Sequence, residues 1–210
     1  MKIAILNKEG NSTNRSVELT DSVFGIDPND HAIYLDVKQY LANQRQGTHK
    51  SKQRNEIAGS TKKLHKQKGT GGARKGSIKS PLLRGGGRIF GPQPRDYSFK
   101  LNKKVKSLAR LSALSYKAKE NNIVVLEDFS FDAPKTKYYT DFLNNLKLSD
   151  KKTLFIVGDS NKNLYLSSRN LSGTKVVAAS DINTYDILKA NCLIISESAI
   201  VKMENILSSN

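Results

Sequence analysis

Cysteine and long apolar runs are scarce in this sequence, and each shortage excludes a class of protein. Cys192 is the one cysteine, so neither an intrachain disulfide nor a cysteine-based metal site can form, and we interpret it as a small buried apolar residue. No apolar run approaches the roughly 18 residues that a membrane helix requires. The amino terminus opens with Met1 to Leu6 and then turns polar, without the apolar core of a signal peptide. We therefore expect no membrane partner and a cytoplasmic location.

Acidic residues are missing from the middle of the chain. No Asp or Glu occurs between Glu56 and Asp96, a stretch of 39 residues. The window 45–106 holds 18 of the 35 Lys and Arg but two of the 19 acidic residues, which leaves 17 of each elsewhere. This window therefore carries the whole net charge of +16. Ordinary surfaces mix charges of both signs, so the pattern predicts a dense polyanion as the partner.

The same basic window is too poor in apolar residues to fold alone. It holds ten of the 14 glycines and three of the five prolines, and its few aliphatic residues are scattered without a period. Ordering such a segment costs roughly 1–2 kcal/mol per residue in backbone entropy, which it cannot recover by burial. We predict a single α/β domain over residues 1–210, interrupted by an extended basic RNA-penetrating loop over 47–101.

The residues on either side of this loop show helical periodicity. Asp27 and Pro28 form a good helix start, and the helix they predict ends near 45–47. Asn102 is the expected cap of a second helix, which ends near 121–122. Both ends of the loop are thus predicted to be tethered, so the chain must run out and return.

The remaining chain alternates short apolar strands with helices. Ile3 to Leu6 indicates a short strand, followed by an exposed, turn-rich stretch from Asn7 to Asn14. Strands that are apolar on both faces are typical of a parallel sheet covered by helices on both sides. The predicted fold class is therefore α/β, a three-layer body with a mainly parallel four-stranded sheet and helices on both faces, plus a long extended basic loop. The four strands are predicted at 123–126, 154–157, 176–177 and 192–195, and the helices that follow them at about 134–146, 161–169, 185–189 and 196–207.

The glycine-rich segments do not fit nucleotide-binding motifs. The segment 71–77 has Ser77 where a P-loop requires Lys, and the segment 69–74 has Arg74 where the dinucleotide fingerprint requires Gly or Ala. Three acidic residues could line the sheet edge, although turn and cap roles are favoured for them: Asp128, Asp132 and Asp181. The three histidines lie far apart and without acidic or Cys partners, which argues against a metal site or a catalytic triad: His31, His49 and His65.

We find no convergent catalytic set in the sequence and predict that the chain is not an enzyme. No cofactor, metal or small-molecule substrate is implied. A small-molecule transferase activity on the α/β body is the enzymatic alternative, and it rests on fold analogy alone. The second alternative is a general nucleic-acid chaperone or histone-like binder, which would use similar basic segments.

The cations of the loop are the candidate RNA-binding residues. Arginine can chelate a phosphate through two N–H groups and stack on a base, which favours Arg74, Arg84, Arg88 and Arg95 for specific contacts, whereas lysine acts as a mobile point charge. Glycines between the cations let the backbone approach RNA closely. The predicted RNA-binding set is Arg45, Thr48, Lys50, Lys52, Arg54, Lys62, Lys63, Lys66, Lys68, Arg74, Lys75, Lys79, Arg84, Arg88, Arg95, Lys100, Lys103 and Lys104.

Several ordered blocks resemble the bacterial form of the ribosomal protein four family of the large subunit. The resemblance spans nearly the whole chain, and the central blocks are the most specific. They are 45–48, 68–71, 73–74, 76–81, 91–92, 94–98 and 102–104, followed beyond the loop by 124–125, 133–137 and 169–171.

This resemblance implies a function that composition alone cannot specify. It implies a ribosomal, structural role: the α/β body lies on the solvent side of the large subunit, and the loop threads into large-subunit (23S-type) ribosomal RNA. It also implies a part in early assembly, and contact with neighbouring large-subunit proteins, including another that lines the nascent-peptide exit tunnel. By motif match the loop tip, around 62–75, helps line that tunnel, and the assigned tip residues are His65, Gln67, Lys68, Gly69 and Gly71.

Overall fold

The computed structural model describes residues 1–208 and contains six strands and seven α-helices there. No described residue between Asn43 and Lys103 belongs to a helix or strand. In chain order the elements are β1 Lys2–Leu6, β2 Ser12–Glu18, α1 Asp21–Phe24, α2 Asp30–Asn43, α3 Lys103–Lys119, β3 Ile123–Leu126, α4 Thr136–Asn145, β4 Thr153–Val157, α5 Lys162–Ser168, β5 Thr174–Ala178, a short 3₁₀ helix Ala179–Asp181, α6 Thr184–Lys189, β6 Cys192–Ser196 and α7 Glu197–Ser208.

The six strands form one sheet in the order β2-β1-β3-β6-β4-β5. β1 pairs with β2 antiparallel, and the other four pairings are parallel. All five residues of β4 and all five of β6 are buried, as expected for inner strands of a sheet that is covered on both faces. Cys192 begins β6 and is buried, as predicted, and its burial raises the pKa of the thiol.

Helices cover both faces of the sheet. Successive residues of a strand point to opposite faces, and β4 divides accordingly between two apolar clusters. Leu154 and Ile156 pack in a cluster with residues of α1, α3, α6 and α7, whereas Phe155 and Val157 pack in a second cluster with residues of α4 and α5. The predicted α/β class, with helices on both faces of a mainly parallel sheet, is therefore confirmed.

The prediction of a four-stranded sheet is wrong, because β1 and β2 join it. Ile5 of β1 pairs with Val125 of β3, so the predicted amino-terminal strand belongs to the main sheet. β2 falls partly in the stretch that we predicted to be turn-rich. Its sequence, Ser-Thr-Asn-Arg-Ser-Val-Glu, is mostly polar and largely exposed. Backbone pairing with β1 holds this edge strand in place. Such a strand needs no run of apolar side chains, so the sequence carries no apolar pattern that would predict it.

The helices flanking the loop begin close to their predicted positions, but the first uses a different cap. α2 begins at Asp30, where Asn29 rather than Asp27 accepts a 2.9 Å hydrogen bond through its side chain from the backbone N–H of Ala32. Asn102 precedes α3 in an extended conformation, although its side chain accepts no capping hydrogen bond. The boundaries are therefore nearly right, whereas the capping chemistry is not.

Asp128 has the cap role that we favoured for it. Its carboxylate accepts hydrogen bonds from the backbone N–H of Ser198 at 3.1 Å and from the Ser198 hydroxyl at 2.6 Å, in the first turn of α7. Within the described residues, no group of three or more His, Cys, Asp or Glu could hold a metal ion. Over the same residues, no helix combines the length and apolar character needed to cross a membrane.

The chain divides into two compact units. We call the first the α/β unit; it comprises Met1–Leu41 and the chain from Lys100 onward. The second, Ala42–Phe99, we call the loop unit. The interruption of a single domain by an extended, RNA-penetrating loop over 47–101 stays a prediction.

Candidate nucleic-acid interface

The loop unit doubles back on itself without forming a regular sheet. Backbone hydrogen bonds join its outgoing and returning arms at four positions, and these bonds replace the strand ladder that a glycine-rich, apolar-poor sequence does not support. The bonds run from Arg95 N–H to Gly47 O (3.2 Å), from Ser51 N–H to Pro92 O (2.9 Å), from Arg88 N–H to Lys52 O (3.0 Å) and from Leu64 N–H to Gly76 O (3.0 Å).

Tyr97 is the centre of a cluster that joins residues near the two ends of the loop unit. The guanidinium carbon of Arg45 lies 3.7 Å from the centroid of the Tyr97 ring, and that of Arg95 lies 4.3 Å from it. Nε2 of His49 is 2.7 Å from the Tyr97 hydroxyl. A cation over an aromatic face is attracted by the ring quadrupole. The two arginines are thus positioned through their faces, which leaves the N–H groups at their edges for hydrogen bonding.

Gly47 allows the two arms to approach closely enough for this Tyr97 cluster to form. Its φ of +65° lies in the left-handed region, and a Cβ added to it would overlap the carbonyl oxygen of Arg95 and approach the Tyr97 ring to 3.2 Å. A residue with a side chain would therefore be strained and would separate the two arms.

Both carboxylates of the loop unit, Glu56 and Asp96, accept hydrogen bonds from neighbouring residues of the same unit. Glu56 accepts hydrogen bonds from the Lys50 ammonium and, at 3.0 Å, from the backbone N–H of Gln53, and these bonds lower its pKa. Asp96 accepts bonds at 2.8 Å from the backbone N–H and the hydroxyl of Ser98, which lower its pKa. Among the described residues, Lys50 is the one loop-unit cation within salt-bridge distance of a carboxylate. The other cations therefore keep their charge unneutralised.

The structure places most of the predicted RNA-binding residues on the surface of the loop unit. Fifteen of them lie within Ala42–Phe99 and are exposed, apart from Lys79, which is half-buried. The assigned tip residues are all exposed as well. Lys100, Lys103 and Lys104 are exposed but belong to the α/β unit.

Lys103 and Lys104 occupy an electrostatically unfavourable place. They lie in the first turn of α3, which contains no acidic residue. A helix amino terminus carries a partial positive charge, so two lysines there cost stability unless an anion lies nearby. This end of α3 is therefore suited to an anionic partner.

The glycines of the loop unit serve two different purposes. A Cβ on Gly86 or Gly87 would overlap the backbone of Ser80 or Arg54 respectively, so these glycines allow close packing within the protein itself. At the tip, Gly69 and Gly71 have φ of +82° and +65°, and a Cβ on either would meet nothing within 4 Å. Backbone conformation, rather than packing, accounts for the two tip glycines.

Sequence reasoning missed two aromatic residues of the loop unit. Tyr97 contacts residues on both arms, and a contact between distant positions leaves no local pattern. Phe90 lies beside a cleft of about 930 Å³ and is wholly exposed. Nothing in the sequence marks an apolar residue as exposed, so no signal could have identified it.

Comparison with known proteins matches residues 17–206 to a family model described as the ribosomal protein L4/L1 family. The chain is 61% identical to a protein of Phocaeicola vulgatus over 208 residues, which are 99% of this chain and 100% of the relative. It is 62% identical to one of Flavobacterium psychrophilum over 208 residues, with 99% and 100% covered. It is 63% identical to one of Amoebophilus asiaticus over 203 residues, 97% of each chain. All three relatives are named large ribosomal subunit protein uL4.

Proposed function

This chain belongs to the ribosomal protein L4/L1 family, and from that premise we propose that it is a structural constituent of the large ribosomal subunit that binds 23S-type ribosomal RNA. The family resemblance predicted from sequence is confirmed, and so is the prediction that the chain is not an enzyme, because the family is one of ribosomal proteins. The bacterial relatives support a cytoplasmic, ribosome-bound location.

The observation that carries the proposal is the unneutralised charge of the loop unit. Its 14 Lys and Arg are opposed by two carboxylates, and both carboxylates are already occupied inside the unit. Like charges at this density repel one another and oppose compaction. A phosphate backbone supplies the missing negative charge and releases counterions as it binds.

The two kinds of cation have different roles in this proposal. The arginines chelate phosphates or stack on bases, whereas the lysines neutralise phosphates without fixed geometry. Together they allow RNA segments that would otherwise repel one another to pack side by side. Both ends of the loop unit continue into the α/β unit along the chain, through α2 before it and α3 after it.

The finer parts of the proposal follow the family resemblance. The tip around 62–75 helps line the nascent-peptide exit tunnel, the protein acts early in subunit assembly, and it contacts neighbouring large-subunit proteins. The exposure of Gln67 and the left-handed backbone of Gly69 and Gly71 support a tip whose surface is open to a partner. A crosslinker attached at Gln67→Cys should capture a stalled nascent chain in assembled ribosomes, and its failure to do so would remove the tip from the tunnel.

Binding to two RNAs at matched salt tests the main proposal. The purified chain should bind a folded fragment of large-subunit ribosomal RNA more tightly than a generic duplex of the same length. It should also stay with the large subunit through high-salt washing. Equal affinity for both RNAs would contradict the proposal and support a general nucleic-acid chaperone or histone-like binder.

A further inference from the structure

Phe90 is an apolar residue that the protein leaves entirely in solvent. Its side chain is exposed to the full extent of a free residue (103%), and its φ of +53° lies in the left-handed region that disfavours residues with a Cβ. The protein gains no burial from this residue, yet holds it in a strained conformation. Strained residues of this kind are concentrated at binding sites.

Two hydrogen bonds between the arms hold this conformation. The backbone N–H of Arg88 donates to Lys52 O at 3.0 Å, and the backbone N–H of Ser51 donates to Pro92 O at 2.9 Å. They fix the chain on both sides of the short segment 89–91, so that this segment bulges between two anchored points. A Cβ on Gly91 would lie 2.6 Å from the Cβ of Ser51, which shows how closely the bulge packs against the outgoing arm.

The cleft beside Phe90 has the chemistry of a nucleotide site. Its volume of about 930 Å³ falls within the roughly 300–1,000 Å³ typical of small-ligand sites. Arg54, Lys79 and Arg88 bring three cations to its lining, and no carboxylate belongs to the lining that the structure describes. The amide side chains of Gln53, Asn55 and Gln93 add hydrogen-bond donors and acceptors of the kind that read base edges.

We propose that this cleft binds one unpaired nucleobase of ribosomal RNA, which stacks on the Phe90 ring while the adjoining phosphates lie against Arg54, Lys79 and Arg88. The inference rests on the proposed function and adds a defined site to it. Recognition of single-stranded RNA commonly combines an aromatic stacking platform with a basic groove.

A neighbouring protein is the other occupant that an exposed aromatic residue could serve. The lining favours RNA, because Arg54, Lys79 and Arg88 give it three positive charges and no carboxylate among the described lining residues, which suits a phosphate backbone beside an unpaired base. A base stacks on the flat face of an aromatic ring, and the Phe90 ring has its face open to solvent. An apolar pocket on a protein partner would bury any apolar side chain and would not need a flat ring.

The absence of tryptophan from the chain provides a direct test. Phe90→Trp makes a full-length protein with a single tryptophan, whose emission should be strongly quenched, and protected from iodide, when folded large-subunit ribosomal RNA is added. Leu82→Trp is the matched control, because Leu82 belongs to the same unit, is 93% exposed and does not line the cleft. Its emission should change little under the same saturation.

The outcomes separate this inference from the function on which it rests. If the unsubstituted chain fails to bind the RNA, the proposed function fails and the base site fails with it. If the chain binds but the emission of Phe90→Trp does not change, or both variants are quenched equally, the base site alone is overturned. Quenching that appears only in assembled subunits, and not on free RNA, would assign Phe90 to a protein neighbour and also overturn the proposal.

Affinity measurements provide a second readout. Loss of one stacked base corresponds to roughly 5- to 150-fold weaker binding, and that loss is expected for Phe90→Ala. Phe90→Leu, which keeps an apolar side chain but cannot stack, should bind about as weakly as the alanine variant, whereas Phe90→Tyr should bind like the unsubstituted chain. Wild-type affinity for Phe90→Leu would show that apolar contact, rather than stacking, is what the site uses, and would refute the inference. Because Phe90 is fully exposed, these substitutions remove no buried contact of the folded protein.

Discussion

Removing charge from the tip should weaken the salt dependence of RNA binding by a calculable amount. The variant replaces four exposed lysines with glutamine: Lys62, Lys63, Lys66 and Lys68. Within the described residues none of the four has a carboxylate within salt-bridge distance, so each is free to neutralise a phosphate. Glutamine keeps most of the side-chain length, and the change therefore acts mainly through charge.

The magnitude follows from counterion release. Each phosphate contact contributes roughly 0.7 to 0.9 to the slope of log affinity against log salt, so four contacts contribute about 2.8 to 3.6. Between about 50 and 200 mM salt, the affinity of the unsubstituted chain should therefore fall roughly 50- to 150-fold further than that of the variant. Filter binding to a folded large-subunit ribosomal RNA fragment across this range measures both slopes.

A matched variant tests whether location or total charge matters. It replaces four exposed lysines of the α/β unit with glutamine and has the same net charge: Lys8, Lys137, Lys151 and Lys162. Its slope should stay within one unit of that of the unsubstituted chain. Equal reductions in the two variants, or no reduction in the tip variant, would refute the argument that the tip lysines neutralise phosphates.

Three further predictions concern the protein without RNA. A Cβ at position 47 would have a left-handed φ, which costs about 1–2 kcal/mol, and it would overlap the opposite arm. Gly47→Ala should therefore speed tryptic cleavage after Arg95 several-fold. Gly72→Ala, at an open position, should leave the cleavage rate unchanged. Asp128→Ala should lower the free energy of unfolding by about 1 kcal/mol in denaturant titrations, because α7 loses its cap, and an unchanged midpoint would contradict this role. Tyr139→Phe should raise the unfolding free energy by about 1 kcal/mol, because within the described residues the buried Tyr139 hydroxyl has no hydrogen-bond partner; a lower thermal midpoint would show that the hydroxyl is satisfied.

The sequence could predict the strands whose side chains are buried on both faces of the sheet. The runs 123–126 and 192–195 are continuously apolar, because helices cover each side of the sheet. β2 could not be predicted, since an edge strand held by backbone bonds to one neighbour needs no apolar side chains. The α2 cap was misassigned by two residues, because Asp27 and Asn29 are equally suited to capping and their local geometry decides between them.

The candidate site was predictable in charge but not in geometry. Net charge and glycine content identified the loop, since they need no knowledge of contacts. The grouping of Arg45, His49 and Arg95 around Tyr97 depends on how the two arms align. The exposure of Phe90 depends on backbone bonds at Ser51 and Arg88. Neither relation follows from residue spacing, because both join positions that are far apart in the chain.

The place of β6 in the sheet has a consequence for the order in which the protein can fold during synthesis. β6 is the last strand to be made, yet it lies between β3 and β4. Until it emerges, β2-β1-β3 and β4-β5 have no strand to join them. At roughly 5–20 residues per second, several seconds separate the completion of β3 from that of β6. The loop unit is made earlier still, so a nascent chain presents its cations before the body that holds them is complete. A chain that stops before Cys192 should therefore remain a charged segment attached to an unfinished sheet, which is a substrate for proteases rather than a smaller version of the protein.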